Sequence, residues 1–197
     1  MAESLVSIGV PCHNAADYID EALRSAFAQT HGNLEVIVYD DHSSDESLQR
    51  VRAIGDPRLQ LIAAPHNRGV AAARQAIKEK ARGDYLAWLD ADDRFDPDRI
   101  ALLLAEAVAS CADLVTDNAR LIDARSERLP GLRRVPDAVA ADPHFTRIFE
   151  RNAMLPHPLV SRRCFTALDY DVGLKTSEDY DYWLRCSLAG YRFRRVD

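Results

Sequence analysis

The chain has 197 residues, 47% of them hydrophobic and 28% charged. That composition excludes a disordered or collagen-like polymer and suffices for one substantial α/β domain. Thirty-one acidic against 25 basic residues leave a formal charge of -6, so nucleic acid, whose phosphates would be repelled, is not an expected partner.

No apolar run reaches the roughly 18–20 residues that span a bilayer, and Glu3 stands where a signal peptide would be basic. Four scattered cysteines without a CxxC pair fit reduced thiols. The expected location is cytoplasmic, or peripheral to the inner face of the membrane as part of a longer protein.

Short β-branched runs alternate with amphipathic stretches through the first half. Residues 5–10 read as a buried strand stopped by Pro11. From Ala15 onward, Tyr18, Ile19, Ala22, Leu23, Ala26 and Phe27 recur at helical spacing. Residues 34–39 form the second strand, which ends in Asp40-Asp41, and Asp45 caps a helix through Ile54. Residues 59–62 form the third strand and 69–81 an alanine-rich helix. The fourth strand, 85–89, runs into Asp90-Ala91-Asp92-Asp93. Asp96 caps a fourth helix with Pro97 in its first turn.

The second half is less regular. Residues 114–116 and 119–122 read as short strands, and 124–143, with Arg133-Arg134, as a long loop. Residues 145–151 suit a short helix and 158–161 a strand. A last helix runs from Ser177 or Glu178 through Leu188, with Gly190 as its stop. No repeat or linker divides the chain, so a single domain over 1–197 is expected. Strand and helix alternating at this spacing predict a mainly parallel sheet with helices on both faces. Ligands bind such sheets beyond the carboxyl ends of the strands, which is where both acidic clusters fall.

Asp90 and Asp92 project to one side of an extended chain. Carboxylates that converge repel unless a cation lies between them, and a hard divalent ion such as Mg2+ or Mn2+ suits few carboxylates plus substrate phosphates. The competing reading is a capped turn. In the Asp40-Asp41-His42-Ser43-Ser44-Asp45 stretch, an aspartate at a strand end can accept from a nucleobase N–H or a ribose hydroxyl, or the segment is a turn into the next helix. His42 fits a solvated loop residue better than a metal ligand. Glu178-Asp179 complements a helix dipole, and Tyr180, Tyr182 and Trp183 either wall a sugar or pack in the core.

Taken together, three segments resemble the inverting family 2 glycosyltransferases. The first is Val6 to Asn14 followed by Glu35 to Asp45. The second is Asn67-Arg68-Gly69 with Ala72-Ala73-Arg74, then Leu89-Asp90-Ala91-Asp92-Asp93. The third is Ser177-Glu178-Asp179-Tyr180-Asp181-Tyr182-Trp183-Leu184-Arg185. The resemblance covers nearly the whole chain and implies a GT-A fold. Residues 1–100 would be the nucleotide-sugar-binding half and 101–197 a smaller acceptor-side half. It further implies a nucleotide-diphosphate sugar donor, most often UDP-linked, a saccharide, lipid-linked or other hydroxyl acceptor, and Mn2+ or Mg2+ as cofactor.

By position, Asp41 accepts from the base N–H, Pro11 lines the base, and Asp90 sits near the ribose. Asp92 binds metal and diphosphate, with Asp93 the alternative ligand. Arg74 helps hold the donor, Glu178 and Trp183 border the substrate, and Asp179 is the catalytic base. His42 departs from the family's usual glycine or asparagine. The sequence also stops at Val196-Asp197 as another strand begins, which implies a longer parent.

Three rival readings fare worse. A signalling receiver needs a lysine at a late strand end, a phosphatase needs its D-x-D on the first strand, and a dinucleotide-binding enzyme needs a G-x-G-x-x-G after that strand. The alternative that survives is a catalytically idle module that binds sugar nucleotide for regulation or scaffolding.

Overall fold

The computed structural model describes residues 3–123, 125, 127–133 and 157–196. In chain order the elements begin with β1 (Val6–Cys12), α1 (Ile19–Phe27), β2 (Leu34–Asp40), α2 (Ser47–Ala53), β3 (Leu59–Ala63), α3 (Val70–Lys80) and β4 (Tyr85–Trp88). They continue with α4 (Arg99–Ser110), β5 (Leu114–Thr116), β6 (Ala119–Ile122), β7 (Arg128–Arg133), β8 (Leu159–Ser161), α5 (Arg162–Phe165), α6 (Glu178–Leu188) and β9 (Phe193–Arg195).

Seven strands form one sheet in the order β3-β2-β1-β4-β8-β5-β9. The first four are parallel, β8 is antiparallel to both of its neighbours, and β9 is parallel to β5. Strands β6 and β7 pair separately and antiparallel.

Alternation along the strands sorts side chains into two cores, one on each face. Val36, Val38, Ala87 and Leu89 join Ile19, Leu23, Val51, Ile100 and Leu103 under α1, α2 and α4. Ile37, Tyr39, Leu86 and Trp88 join Ile77, Phe165, Tyr182 and Trp183 under α3, α5 and α6. Helices therefore cover both faces, as the β-α alternation predicts. Gly9 lets α3 come close: a Cβ there would meet Ile77 Cγ2 at 2.6 Å and the Trp88 ring at 2.8 Å.

Several element boundaries differ from the sequence expectation. Pro11 does not stop β1, which runs on to Cys12. β4 pairs with β1 only as far as Gly9, so the missing N–H of Pro11 falls where one neighbouring strand has already ended. Helix α1 starts at Ile19 rather than Ala15, because residues 15–18 close a turn through Tyr18 N–H to Ala15 O at 3.0 Å. Asp45 lies one residue before the N-cap Glu46, yet it still accepts the Ser47 N–H at 2.9 Å. Helix α4 starts at Arg99 after the N-cap Asp98, which leaves Pro97 outside it. The expected loop at 124–143 contains β7. The rest of that loop past 133 and the expected helix at 145–151 lie outside the described residues. All four cysteines are free thiols, and among the described residues no helix is long and apolar enough to cross a membrane.

Candidate active site

Beyond the carboxyl ends of β1, β2 and β4 lies a cleft of about 620 Å³, lined by residues that include Pro11, Asp41, Arg74, Asp90, Asp92, Glu178 and Asp179. The topology explains the gathering. Parallel strands deliver their following loops to one edge, and the N-termini of α3 and α6 reach the same edge.

Asp41 is buried, and its two carboxylate oxygens accept the backbone N–H groups of Arg68 and Gly69, each at 2.8 Å. Gly69 has φ +86, a left-handed conformation suited to glycine, and serves as the N-cap of α3. The two amides fix the orientation of the carboxylate. A carboxylate has about four lone-pair sites, so acceptor capacity remains for a ligand.

Arg74, only 2% exposed, stands one turn into α3. Its Nη2 donates to Asp90 Oδ1 at 3.0 Å and its Nε to Glu178 Oε1 at 3.2 Å, with the guanidinium 5.0 Å above the Trp88 ring. One buried cation thus holds together the loop after β4 and the first residue of α6. Ser177 is the N-cap of α6 but makes no side-chain cap bond and has φ +61. The carboxylates of Glu178, Asp179 and Asp181 occupy that first turn instead, where the helix dipole favours them.

The other Asp90 oxygen belongs to a second group. Ligand atoms of Asp90, Asp93 and His157 all lie within 4.8 Å of one another. His157 Nε2 comes to 3.0 Å from Asp90 Oδ2 and 3.1 Å from Asp93 Oδ2, yet it is aligned to donate to neither. Burial pushes the Asp90 carboxyl up, but His157 and Arg74 outweigh it and hold it at about 2. Burial pushes the His157 ring down, but Asp90 and Asp93 raise it above its ordinary value. Asp92 is raised by burial and by the neighbouring charges of Asp93 and Asp90. Two carboxylates and an imidazole converging on one point without hydrogen-bond alignment fit a divalent cation. Such a cation would displace the imidazole proton on binding.

Two of the expected site residues stand apart from this group. Asp92 lines the cleft but stands outside the convergent group, where Asp90 and His157 join Asp93. Trp183 does not border the cleft: it is wholly buried, edge-on to Tyr182 with ring centroids 5.2 Å apart. Tyr182 is buried beside it, which settles both rings as core. His42 is a loop residue in the left-handed region, with φ +62.

The sequence reading missed His157. The sequence shows the strand that follows it but not the direction in which that strand runs. β8 runs antiparallel to β4 with Leu159 opposite Ala87, so the residue entering β8 arrives beside the carboxyl end of β4, next to Asp90.

A second cavity of about 590 Å³ adjoins the group, with Asp93 and His157 in its wall together with Arg99, Asp117 and Arg128.

The family model described as glycosyl transferase family 2 matches residues 7–168. The chain is similar to the succinoglycan biosynthesis protein ExoO of Rhizobium meliloti, 37% identical over 89% of this chain and 53% of that protein. It is also similar to a chondroitin synthase of Pasteurella multocida, 32% identical over 88% of this chain and 19% of that protein. The chain thus spans about half of the first relative and about a fifth of the second.

Among solved structures, S. aureus TarS 1–349 in complex with UDP superposes with a TM-score of 0.80 at 22% identity, over 97% of this chain and 57% of that one. The mannosyltransferase PcManGT from Pyrobaculum calidifontis, in complex with GDP-Man and Mn2+, gives 0.73 at 20%, over all of this chain and 55% of that one. At these identities the likeness concerns the fold, which is the GT-A α/β fold.

Proposed function

The chain belongs to glycosyl transferase family 2, and from that premise we propose that it transfers a sugar from a UDP-linked donor to an acceptor hydroxyl with inversion and with the help of a divalent metal. The observation that carries this reading is the convergence of Asp90, Asp93 and His157: Asp90 lines the cleft together with Asp41 and Asp179, and its two partners stand in the wall of the adjoining cavity. The UDP and UDP-GlcNAc complexes of TarS support a uridine diphosphate donor. The PcManGT complex supports Mn2+, and an imidazole among the ligands favours Mn2+ over the more strictly oxygen-seeking Mg2+. The relatives' names, which place them in succinoglycan biosynthesis and chondroitin synthesis, support a saccharide acceptor and work in polysaccharide assembly.

In this reading residues 1–100 hold the nucleotide and the later residues face the acceptor. Asp41, oriented by the Arg68 and Gly69 amides, accepts from the base N3–H, and the backbone at Pro11 lines the base. Asp90 lies toward the ribose and, with Asp93 and His157, would hold the cation, which would offset charge developing on the departing diphosphate. Asp179 takes the proton of the acceptor hydroxyl as its oxygen bonds to the anomeric carbon. Attack from the side opposite the diphosphate inverts that centre. Asp92 faces the same cleft as a further diphosphate-side carboxylate.

Thermal melting with UDP, with Mn2+ and with both tests the reading. UDP and Mn2+ together should raise the melting temperature more than the sum of either alone, because a cation shared with the diphosphate makes each ligand raise the other's affinity, and binding stabilises the folded state by mass action. No shift with any nucleoside diphosphate would overturn it.

A further inference from the structure

We propose that Arg99 is a positioning residue that fixes His157 as the third metal ligand. The proposal rests on the metal-dependent reading above.

Arg99 opens α4, a place where a cation opposes the helix dipole, so its position calls for another cause. Its side chain is only 9% exposed. Nε and Nη2 donate to Asp117 Oδ2 and Oδ1, both at 2.8 Å, as a bidentate fork. The guanidinium lies 4.3 Å over the Phe95 ring. Nη2 also donates to the backbone carbonyl of His157 at 2.6 Å. Asp117 directly follows β5, Phe95 follows the Asp90–Asp93 turn, and His157 leads into β8. One guanidinium therefore ties together three separate segments and holds the main chain of the residue whose ring meets Asp90 and Asp93.

The arrangement is asymmetric. Asp90 is oriented by its own bond to Arg74. His157 Nε2 has no aligned hydrogen bond, so no directional bond from the carboxylates fixes its position. The anchor at its carbonyl takes that part. Partners that orient a metal ligand typically affect metal affinity by about 10–100-fold. Lysine retains the charge but lacks the planar fork that reaches Asp117 and the carbonyl at once.

The test is a double-mutant cycle read by calorimetric titration of Mn2+ into the UDP-saturated protein. The variants are Arg99→Lys, His157→Ala and the two combined, with UDP affinity also measured without metal. Arg99→Lys should weaken Mn2+ by about 10-fold or more and leave metal-free UDP affinity unchanged. In the His157→Ala background, Arg99→Lys should cost nothing further, because its effect passes through His157. Asp117→Asn, which loosens the same fork more gently, should weaken Mn2+ in the same direction and serves if Arg99→Lys fails to fold.

Unchanged Mn2+ affinity in the Arg99 and Asp117 variants overturns the proposal. So does an equal loss with and without His157, which would make Arg99 only a brace between β5 and α4. If His157→Ala itself binds Mn2+ as the parent does, His157 is no ligand and this proposal falls, whereas a parent that binds no Mn2+ overturns the metal reading itself. The two failures are therefore distinguishable.

Discussion

Arg74 Nη2 donates to Asp90 Oδ1 at 3.0 Å, leaving Asp90 Oδ2 turned toward His157 at 3.0 Å. The bond divides one carboxylate between a buried arginine and the convergent group. Because Arg74 also holds Glu178, the loop after β4 and the start of α6 share a single cation.

Arg74→Met should therefore be costly. Glu178, 5% exposed, would be left a buried carboxylate without a partner, and Asp90 would lose the bond that orients it. Breaking a buried pair by removing one member costs about 3–5 kcal/mol. Urea unfolding should show a loss of that order. A loss below about 1 kcal/mol, the size of an exposed pair, would mean that the bridge is not sealed from water.

Asp41→Asn tests base recognition. The amide keeps one oxygen to accept an N–H from Arg68 or Gly69 but turns an NH2 toward the other. UDP should bind more weakly by about 1.5–3 kcal/mol, the range for hydrogen bonds to charged groups. CDP should lose less, since cytosine N3 is an acceptor and an amide can donate to it. Calorimetry that finds UDP and CDP weakened equally would remove Asp41 from base reading and leave it as the anchor of α3.

Acid stability follows from two carboxylates remote from the cleft. Burial pushes Glu35 up, but hydrogen bonds from Ser7 and from the backbone and guanidinium of Arg82 hold it below its usual value. Asp113 is likewise lowered against burial, by Arg163, the Arg192 amide and Ser161. A lowered folded value means that the unfolded chain binds more protons as the pH falls. Their contribution is thus fully present above the ordinary carboxylate range, near pH 4, and is lost as the pH drops through the folded values. Unfolding free energy should fall steeply below about pH 4, and Glu35→Gln should flatten the slope while lowering stability at neutral pH. An unchanged slope in that variant would show that Glu35 titrates alike in both states.

The parallel half of the sheet was readable because its physics is local. Apolar strands, helical periodicity and aspartates at strand ends lie within short windows, and Asp41, Asp90 and Asp179 do line one cleft. What escaped the sequence depends on pairing across distance. His157 joins Asp90 only because β8 runs antiparallel beside β4, and no pattern around His157 announces that reversal. Trp183 shows the converse. Its helical spacing was compatible with either core or cleft, and the packing of α6 on the sheet decided for the core. Pro11 misled because strand propensity cannot tell that β4 ends before reaching it.

The assignment of Asp179 as base is separable from donor binding. Asp179 lines the cleft at the start of α6, and its Oδ1 accepts the N–H of Tyr180 at 2.7 Å. Asparagine preserves the shape and that acceptor but cannot take up a proton at neutral pH. Asp179→Asn should bind UDP and Mn2+ as the parent does, because Asp41 and the Asp90–Asp93–His157 group are untouched. Sugar transfer, measured with a saccharide acceptor, should fall by about 100-fold or more, the lower end for losing a general base. Near-normal transfer would move the role to another carboxylate of that turn, Glu178 or Asp181. Lost UDP binding would instead make Asp179 part of the scaffold. A parent that binds UDP and Mn2+ but turns over no donor with any acceptor would identify a binding module rather than a transferase.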